Sequence, residues 1–294
     1  MAIVLGCPEV DGLGVALAAH REWQDEEAPM QLHPGDLGWQ WRFGAEATAA
    51  AVRTWSRDGE VLAVGFLDEP TVLRLAIAPT SLRDNELARC LAKDIDEPDH
   101  GLLGTGRAAL EVARNALVHG LLRERGWVPG EPWTQLRLDL REPISTPQVR
   151  VEVVGPNHMQ ERTAVQRAAF ENSTFTEDRW HAMAAGLLYA DARCLVGYDD
   201  QGRPVAAVTV WSAGVGRPGL LEPLGVHRDH RGHGHGTAIS LAAAAALQQM
   251  GSSSARVCTP SANVGAVATY VSAGFTKLAD VHDLVRNVGS LAAG

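Results

Sequence analysis

Arg231-Gly232-His233-Gly234-His235-Gly236 is the stretch whose reading decides this chain. It follows an apolar run over residues 219–226 and opens an alanine-rich segment over 237–250 that reads as a helix. A strand feeding a glycine-rich turn into a helix makes an anion site. The first amides of the helix have no intrahelical partner, and the helix dipole places partial positive charge at that end. Glycine lets the backbone approach the anion closely and adopt positive φ without steric cost. The ligand indicated is a phosphate.

Two phosphate motifs fail against these residues. A P-loop needs Lys-Ser or Lys-Thr after its glycines, and no lysine follows here. A dinucleotide fingerprint needs G-x-G-x-x-G and a later carboxylate, whereas the glycines here alternate and the segment near Ser253 and Ser254 carries no acid. The spacing that fits is R/Q-x-x-G-x-G/A, with Arg231, Gly234 and Gly236 in register. In this the chain resembles the GNAT acetyltransferases, whose pyrophosphate-binding signature has that form. The lead-in Val226-His227-Arg228-Asp229-His230-Arg231-Gly232 is similar to the family's V-x-P-x-x-R-G, with Arg228 where the family has proline. Downstream, Asn263, Ala266, Tyr270, Gly274 and Phe275 resemble the family's N-x-x-A-x-x-x-Y-x-x-x-G-F helix. The first four recur at three and four residues and so share a helical face, and Gly274 reads as the left-handed residue that ends it.

The resemblance runs over 149–288 and implies acetyl-CoA as co-substrate. By position, the residues that would hold it are Leu224, Gly225, Val226, His227, Arg231, Gly232, His233, Gly234, His235, Gly236 and Thr237, with Asn263, Ala266 and Tyr270. It also implies that the Val226 amide meets the thioester carbonyl and that Tyr270 is the acid for the departing thiolate. A phenol with a pKa near 10 is neutral at about pH 7 and can donate; the alternative for Tyr270 is packing on a core helix. Glu222 is the candidate general base, acting directly or through water, and its alternative is a strand carboxylate that orients the acceptor or pairs with an arginine. Glu171, Asp178, Trp180, Tyr189 and Asp191 lie in segments that shape acceptor clefts in such enzymes; Trp180 and Tyr189 are equally explained as core.

Composition agrees with a folded protein of two domains: 294 residues, 46% hydrophobic and 21% charged. The longest apolar run, over 241–247, is too short to span a bilayer, so no membrane association is expected. Met1-Ala2-Ile3-Val4 lacks the basic start of a secretory signal. Cys7, Cys90, Cys194 and Cys258 are scattered, which fits reduced thiols in a cytoplasmic protein. A net charge of -9 argues against nucleic acid as a partner and suits a cationic amine acceptor. The histidines at 227, 230, 233 and 235 invite a metal reading, but side chains on a loop turning into a helix diverge, so no metal site is expected. The chain is expected to act as a monomer or homodimer.

The first half reads as a decayed copy of the second. Asn115 stands eleven residues before Gly126-Trp127, and Asn263 eleven before Gly274-Phe275. Ile77-Ala78-Pro79 ends an extended run as Val226-His227-Arg228 does, and Asp58-Gly59 matches the turn signal at Asp199-Asp200-Gln201-Gly202. After Pro79 the chain reads Ser81-Leu82-Arg83-Asp84-Asn85-Glu86, without glycine, and Leu122 replaces Tyr270. The alternative is two unrelated α+β domains. The expected division is a non-catalytic lobe over 1–142 and an acetyltransferase lobe over 148–294, joined by the proline-flanked link at 143–147. The expected fold class is α/β (α+β), each lobe a mixed, mostly antiparallel sheet flanked by helices.

For the second lobe the pattern predicts a strand over 149–154, helices over 156–170 and 176–185, a hairpin of 194–198 with 205–212, and a strand over 220–226. The alanine-rich helix, a strand over 255–259, a helix over 263–273 and a last strand from Phe275 follow. The function expected is N-acetyl transfer from acetyl-CoA to a primary amine of a small molecule. The alternatives are a protein N-acetyltransferase and a non-catalytic acyl-CoA sensor.

Overall fold

The structure, a computed structural model, describes residues 2–27, 32–97, 101–145 and 149–287. It divides into two compact units. Unit 1 comprises Met1–His33, Ala45–Pro132 and Val281–Gly294, and unit 2 comprises Pro34–Gly44 and Trp133–Asp280. Along the chain run β1 (Val4–Gly6), α1 (Leu13–Glu22), α2 (Pro34–Gln40), α3 (Ala45–Ala51), β2 (Val52–Arg57), β3 (Glu60–Glu69) and β4 (Val72–Ile77). Next come α4 (Asn85–Asp96), β5 (Ala108–Glu111), α5 (Leu117–Glu124), β6 (Val128–Asp139), β7 (Arg150–Val153), α6 (Met159–Ala169) and α7 (Glu177–Ala184). The remainder is β8 (Ala192–Tyr198), β9 (Pro204–Ser212), β10 (Gly219–Val226), α8 (His235–Gln249), β11 (Ser254–Pro260), α9 (Val264–Ser272), β12 (Thr276–Lys277) and β13 (Val281–Arg286).

The strands of unit 1 lie in the order β1-β2-β3-β4-β5-β13. Only β4 and β5 are parallel; the other pairs are antiparallel. The β2–β3 turn is a two-residue loop with both φ values positive, 55° at Asp58 and 84° at Gly59, the geometry that suits the twist of a hairpin. In α4, Leu87, Ala88, Leu91, Ala92 and Ile95 recur at helical spacing and are buried against Trp55, Leu75 and Trp127.

Unit 2 repeats the pattern in the order β7-β8-β9-β10-β11-β6, with β12 also on β6. Again one pair, β10 with β11, is parallel. Strand β9 is apolar almost throughout because α8 and α6 both pack on it. Its core gathers Leu136, Val208, Ile239, Leu247, Val257 and Phe275.

The two units close their last helices identically. Gly126 (φ 91°) and Gly274 (φ 88°) are both left-handed. The Trp127 amide donates to the Leu122 carbonyl at 3.1 Å, and the Phe275 amide to the Tyr270 carbonyl at 3.0 Å. This is the hydrogen bond of a Schellman close, and it places Leu122 opposite Tyr270 in the comparison. Ile77 ends β4 as Val226 ends β10. The first half is therefore a copy of the second in fold.

The units do not follow the linear division expected at 143–147, of which Thr146 and Pro147 lie outside the described residues. The sixth strand of unit 1 is β13, from beyond unit 2 in sequence, and the sixth strand of unit 2 is residues 133–139 of β6. Unit 1 is thus completed by a strand from outside its main run, whereas unit 2 begins its main run with the strand that completes it. The segment 34–44, assigned by position to the first lobe, belongs to unit 2. Gly35 and Gly38 on α2 lie so close to the buried Trp211 ring that an added Cβ would sit 2.6 and 2.3 Å from it. The expected strand from Phe275 shrinks to the two residues of β12.

Candidate active site

The site of unit 2 is built where its two parallel strands part. Strand β10 pairs with β11 only through Gly219–Ala255 and Leu220–Arg256. Beyond that, its register against β9 shifts between Leu221 and Leu224, at a cis Glu222–Pro223 bond. The His227 amide donates to the Val205 carbonyl at 2.8 Å. Because amides alternate along a strand, those of Leu224 and Val226 face the opposite edge, from which β11 has diverged. Val226 thus presents a donor where the thioester carbonyl was expected.

Beyond Val226 the loop turns into α8. Gly232 and Gly234 have φ of 80° and 81°, conformations that favour glycine, and Gly234 caps α8 without any side-chain acceptor for its first amides. Gly236 serves a different need: an added Cβ would lie 2.8 Å from Thr269 Cγ2, so it allows α8 and α9 to pack closely. The departure from the family's proline is also explained. Arg228 Nε donates to the Ala168 carbonyl and Arg231 Nη2 to the Ala169 carbonyl, each at 2.8 Å. Both cations sit at the C-terminus of α6, where the helix dipole favours them.

In unit 1 the corresponding helix start is already filled. The Asp84 carboxylate accepts from the amides of Glu86 and Leu87, each at 2.9 Å, and also from Arg57 at 2.8 Å. An internal anion occupies the place that unit 2 leaves open.

A cavity of about 710 Å³ opens on the α8 terminus. Its walls bring together most of the expected residues: Leu224, Gly225 and Val226 from β10, Arg231, Gly232 and Gly234 from the loop, His235, Gly236 and Thr237 from α8. Asn263, Ala266 and Tyr270 line the opposite side. His227, His233 and Glu222 are not among the wall residues. The His227 ring caps the Asp229 amide, and the His233 ring bonds the Arg231 carbonyl at 2.8 Å. Ala169, Phe170, His230, Gly265, Ala268, Thr269 and Ser272 complete the walls and were not expected. Only the helical face shared by Ala266 and Tyr270 gave a signal for Thr269. No group of three or more metal-binding side chains occurs among the described residues.

Asn263 caps α9, its Oδ1 accepting from the Ala266 amide at 3.2 Å. Tyr270 is buried, with its ring 5.7 Å from that of Phe275. Burial, and then the charge of Glu222, pushes the phenol well above its ordinary value, so it stays protonated. Its hydroxyl bonds no other group among the described residues, and the residue lines the cavity. Glu222 sits on the bulge, half-buried, its carbonyl held by Trp211 Nε1 at 2.7 Å.

Of the acceptor-side residues, Trp180 is buried and stands 6.3 Å from Tyr189, which stands 6.3 Å from Trp211, both edge to face. Trp180 and Trp211 are buried, and Tyr189 is half-buried. Glu171 and Asp178 are exposed. A buried arginine was also missed by sequence reasoning. Arg162 is fully buried, with Nε on Cys194 Sγ at 3.2 Å, Nη1 on Gln166 Oε1 at 2.7 Å and the guanidinium 5.3 Å from the Phe175 ring.

Comparison with known proteins places this geometry. Residues 159–275, within unit 2, match the model of the acetyltransferase (GNAT) family. The fold of the whole chain is that of tandem GNAT proteins. It is similar to a tandem GNAT protein from the clavulanic acid biosynthesis pathway, at 14% identity over 98% of this chain and 99% of that one, with a TM-score of 0.61. It is similar to an acetyltransferase of the GNAT family from Colwellia psychrerythraea, at 15% identity over 97% and 99% of the two chains, TM-score 0.60. A GCN5-related N-acetyltransferase from Sphaerobacter thermophilus gives 18% identity over 97% and 95%, TM-score 0.59. No curated protein matches the sequence.

Proposed function

We propose that unit 2 transfers an acetyl group from acetyl-CoA to a primary amine of a small molecule, and that unit 1 is non-catalytic. The observation that carries this reading is the α8 terminus: uncapped, glycine-lined and open to a cavity in unit 2, but filled by Asp84 in the copy. The pyrophosphate takes the free amides of that terminus. The Val226 amide polarises the thioester carbonyl, and the amine nitrogen attacks its carbon. The C–S bond breaks, and the thiolate takes the proton of the Tyr270 hydroxyl. The proton lost by the amine passes to Glu222 or to water. The products are the acetamide and coenzyme A.

Four free cysteines support a reducing, cytoplasmic setting. Titration calorimetry with coenzyme A tests the donor half, with one site per chain expected; two equivalent sites defeat the idea of a decayed copy. Release of thiol from acetyl-CoA across a panel of amines tests the acceptor half. Tight binding of coenzyme A without turnover on any amine replaces the enzyme reading with that of an acyl-CoA sensor.

A further inference from the structure

The donor cavity is poor in fixed positive charge for a ligand carrying three phosphates. No lysine lines it, and its one arginine, Arg231, spends one donor on the Ala169 carbonyl. Its other ionisable cations are the imidazoles of His230 and His235. The two rings lie 6.5 Å apart, and Nδ1 of His235 is buried without a hydrogen-bond partner. Backbone amides supply dipoles but no net charge, so positive charge beyond that of Arg231 can come only from these two rings among the cavity walls.

Resting on the coenzyme A reading of this cavity, we propose that His230 and His235 are phosphate-binding residues whose protonation accompanies binding, so that affinity for coenzyme A rises as pH falls. The surroundings favour this coupling. His227 lies 5.2 Å from His230, with Asp229 3.9 Å from the His227 ring nitrogen, and His233 stacks 6.1 Å from His235. From the β8–β9 turn, Asp199 and Asp200 act on His235, but Asp199 is already bridged to Arg203 at 2.7 Å. Arg228 and Arg231 are both turned to the end of α6.

Burial, then His230 and His233, hold the His235 ring below its ordinary value, so it is neutral at about pH 7 in the free protein. A phosphate brought against the ring favours the imidazolium and raises that value. The gain in affinity is therefore complete below the free-state value and lost as pH rises through the bound-state value.

Dephospho-coenzyme A is the decisive probe, because its pyrophosphate diester does not titrate near neutrality and any pH slope belongs to the protein. Calorimetry is run with it, and with coenzyme A beside it, between about pH 6 and about pH 8 in buffers of different ionisation heat. The expected results are net proton uptake and binding roughly 3- to 10-fold tighter at the acid end. His235→Gln and His230→Gln each flatten the slope, and the double variant abolishes it. Wild-type binding without a slope or proton uptake overturns the inference and leaves the donor site standing. A folded double variant that keeps the slope also overturns it. If the variants do not fold, the wild-type heats decide alone. Failure of both ligands to bind at any pH removes the donor site and the inference with it.

Discussion

The indole of Trp211 donates to the main-chain carbonyl of Glu222 at 2.7 Å. That bond fixes the bulged residue of β10 beside the point where β11 departs, and α2 in turn packs on the Trp211 ring. Trp211→Phe keeps most of the ring and removes the donor. It is expected to cost about 1 kcal/mol of stability, read by chemical denaturation, and to lower turnover more than coenzyme A affinity. Glu222→Gln is expected to leave coenzyme A affinity intact and lower turnover. The lost activity should return toward alkaline pH, where free amine is more abundant. A rate profile matching wild type assigns the proton to water or to another group.

Tyr270→Phe preserves packing against Phe275 and removes one hydroxyl. Turnover is expected to fall about 100-fold with folding retained. Because burial raises the phenol, its acid form persists above the ordinary value of about 10, so no loss of rate at or below about pH 10 should trace to this residue. Single-turnover rates of wild type and variant across alkaline pH check this. Unchanged rates return Tyr270 to a packing role.

Gly234 holds a φ of 81° with no atom within 4 Å of an added Cβ, so a substitution is limited by backbone strain and by the ligand rather than by crowding. Gly234→Ala is expected to cost roughly 1–2 kcal/mol of stability. Gly234→Asp adds an acceptor for the α8 amides and should remove most of the coenzyme A affinity, imitating what Asp84 does on α4. Calorimetry on both variants separates strain from charge.

Asp84→Ala removes a helix cap and is expected to destabilise by about 0.5–2 kcal/mol. The hydrogen bond from Arg57, then the Leu87 amide, holds this carboxyl below its ordinary range. Its stabilising contribution is full above the unfolded value of about 3.9 and disappears as pH falls through the lowered folded value. Acid unfolding of wild type and variant should therefore converge at low pH. The variant should still bind a single coenzyme A per chain, since no glycine loop precedes α4.

Arg162 is a buried cation held by a thiol, an amide and a ring. Arg162→Met, of similar bulk, is expected to be neutral or stabilising in a denaturant melt, whereas Arg162→Ala leaves a cavity and destabilises by several kcal/mol, on the order of 3. Strong destabilisation by Met would show that the guanidinium bonds are required.

The donor loop was legible because its chemistry is local: glycines at 232 and 234 need positive φ, and that demand is written in consecutive residues. The face of Ala266 and Tyr270 was legible for the same reason, as were the caps at Thr176 and Gly274. Strand β13 was not, since Val281-His282-Asp283-Leu284-Val285-Arg286 does not alternate apolar with polar residues and carries no sign of the sheet it joins. Its pairing with β5, Leu284 opposite Leu110, spans most of the chain. Nor was the segment at α2, since the ring that Gly35 and Gly38 admit is far away in sequence. For His227 and His233 the motif aligns backbone positions and does not say where a side chain turns.

The placement of β13 also sets an order of events during synthesis. When β5 leaves the ribosome, its outer edge has no partner, and none arrives until all of unit 2 has been made. The first copy must therefore wait with an open edge while the second assembles, a state in which strand edges invite wrong pairing. Cutting the chain between residues 142 and 148 would make that wait permanent. The fragment 1–142 would lack its sixth strand, and the fragment 148–294 would lack residues 133–139 that flank β11. A separately made catalytic half is expected to be soluble only when it begins before Trp133 and also carries, or is supplied with, the segment 34–44.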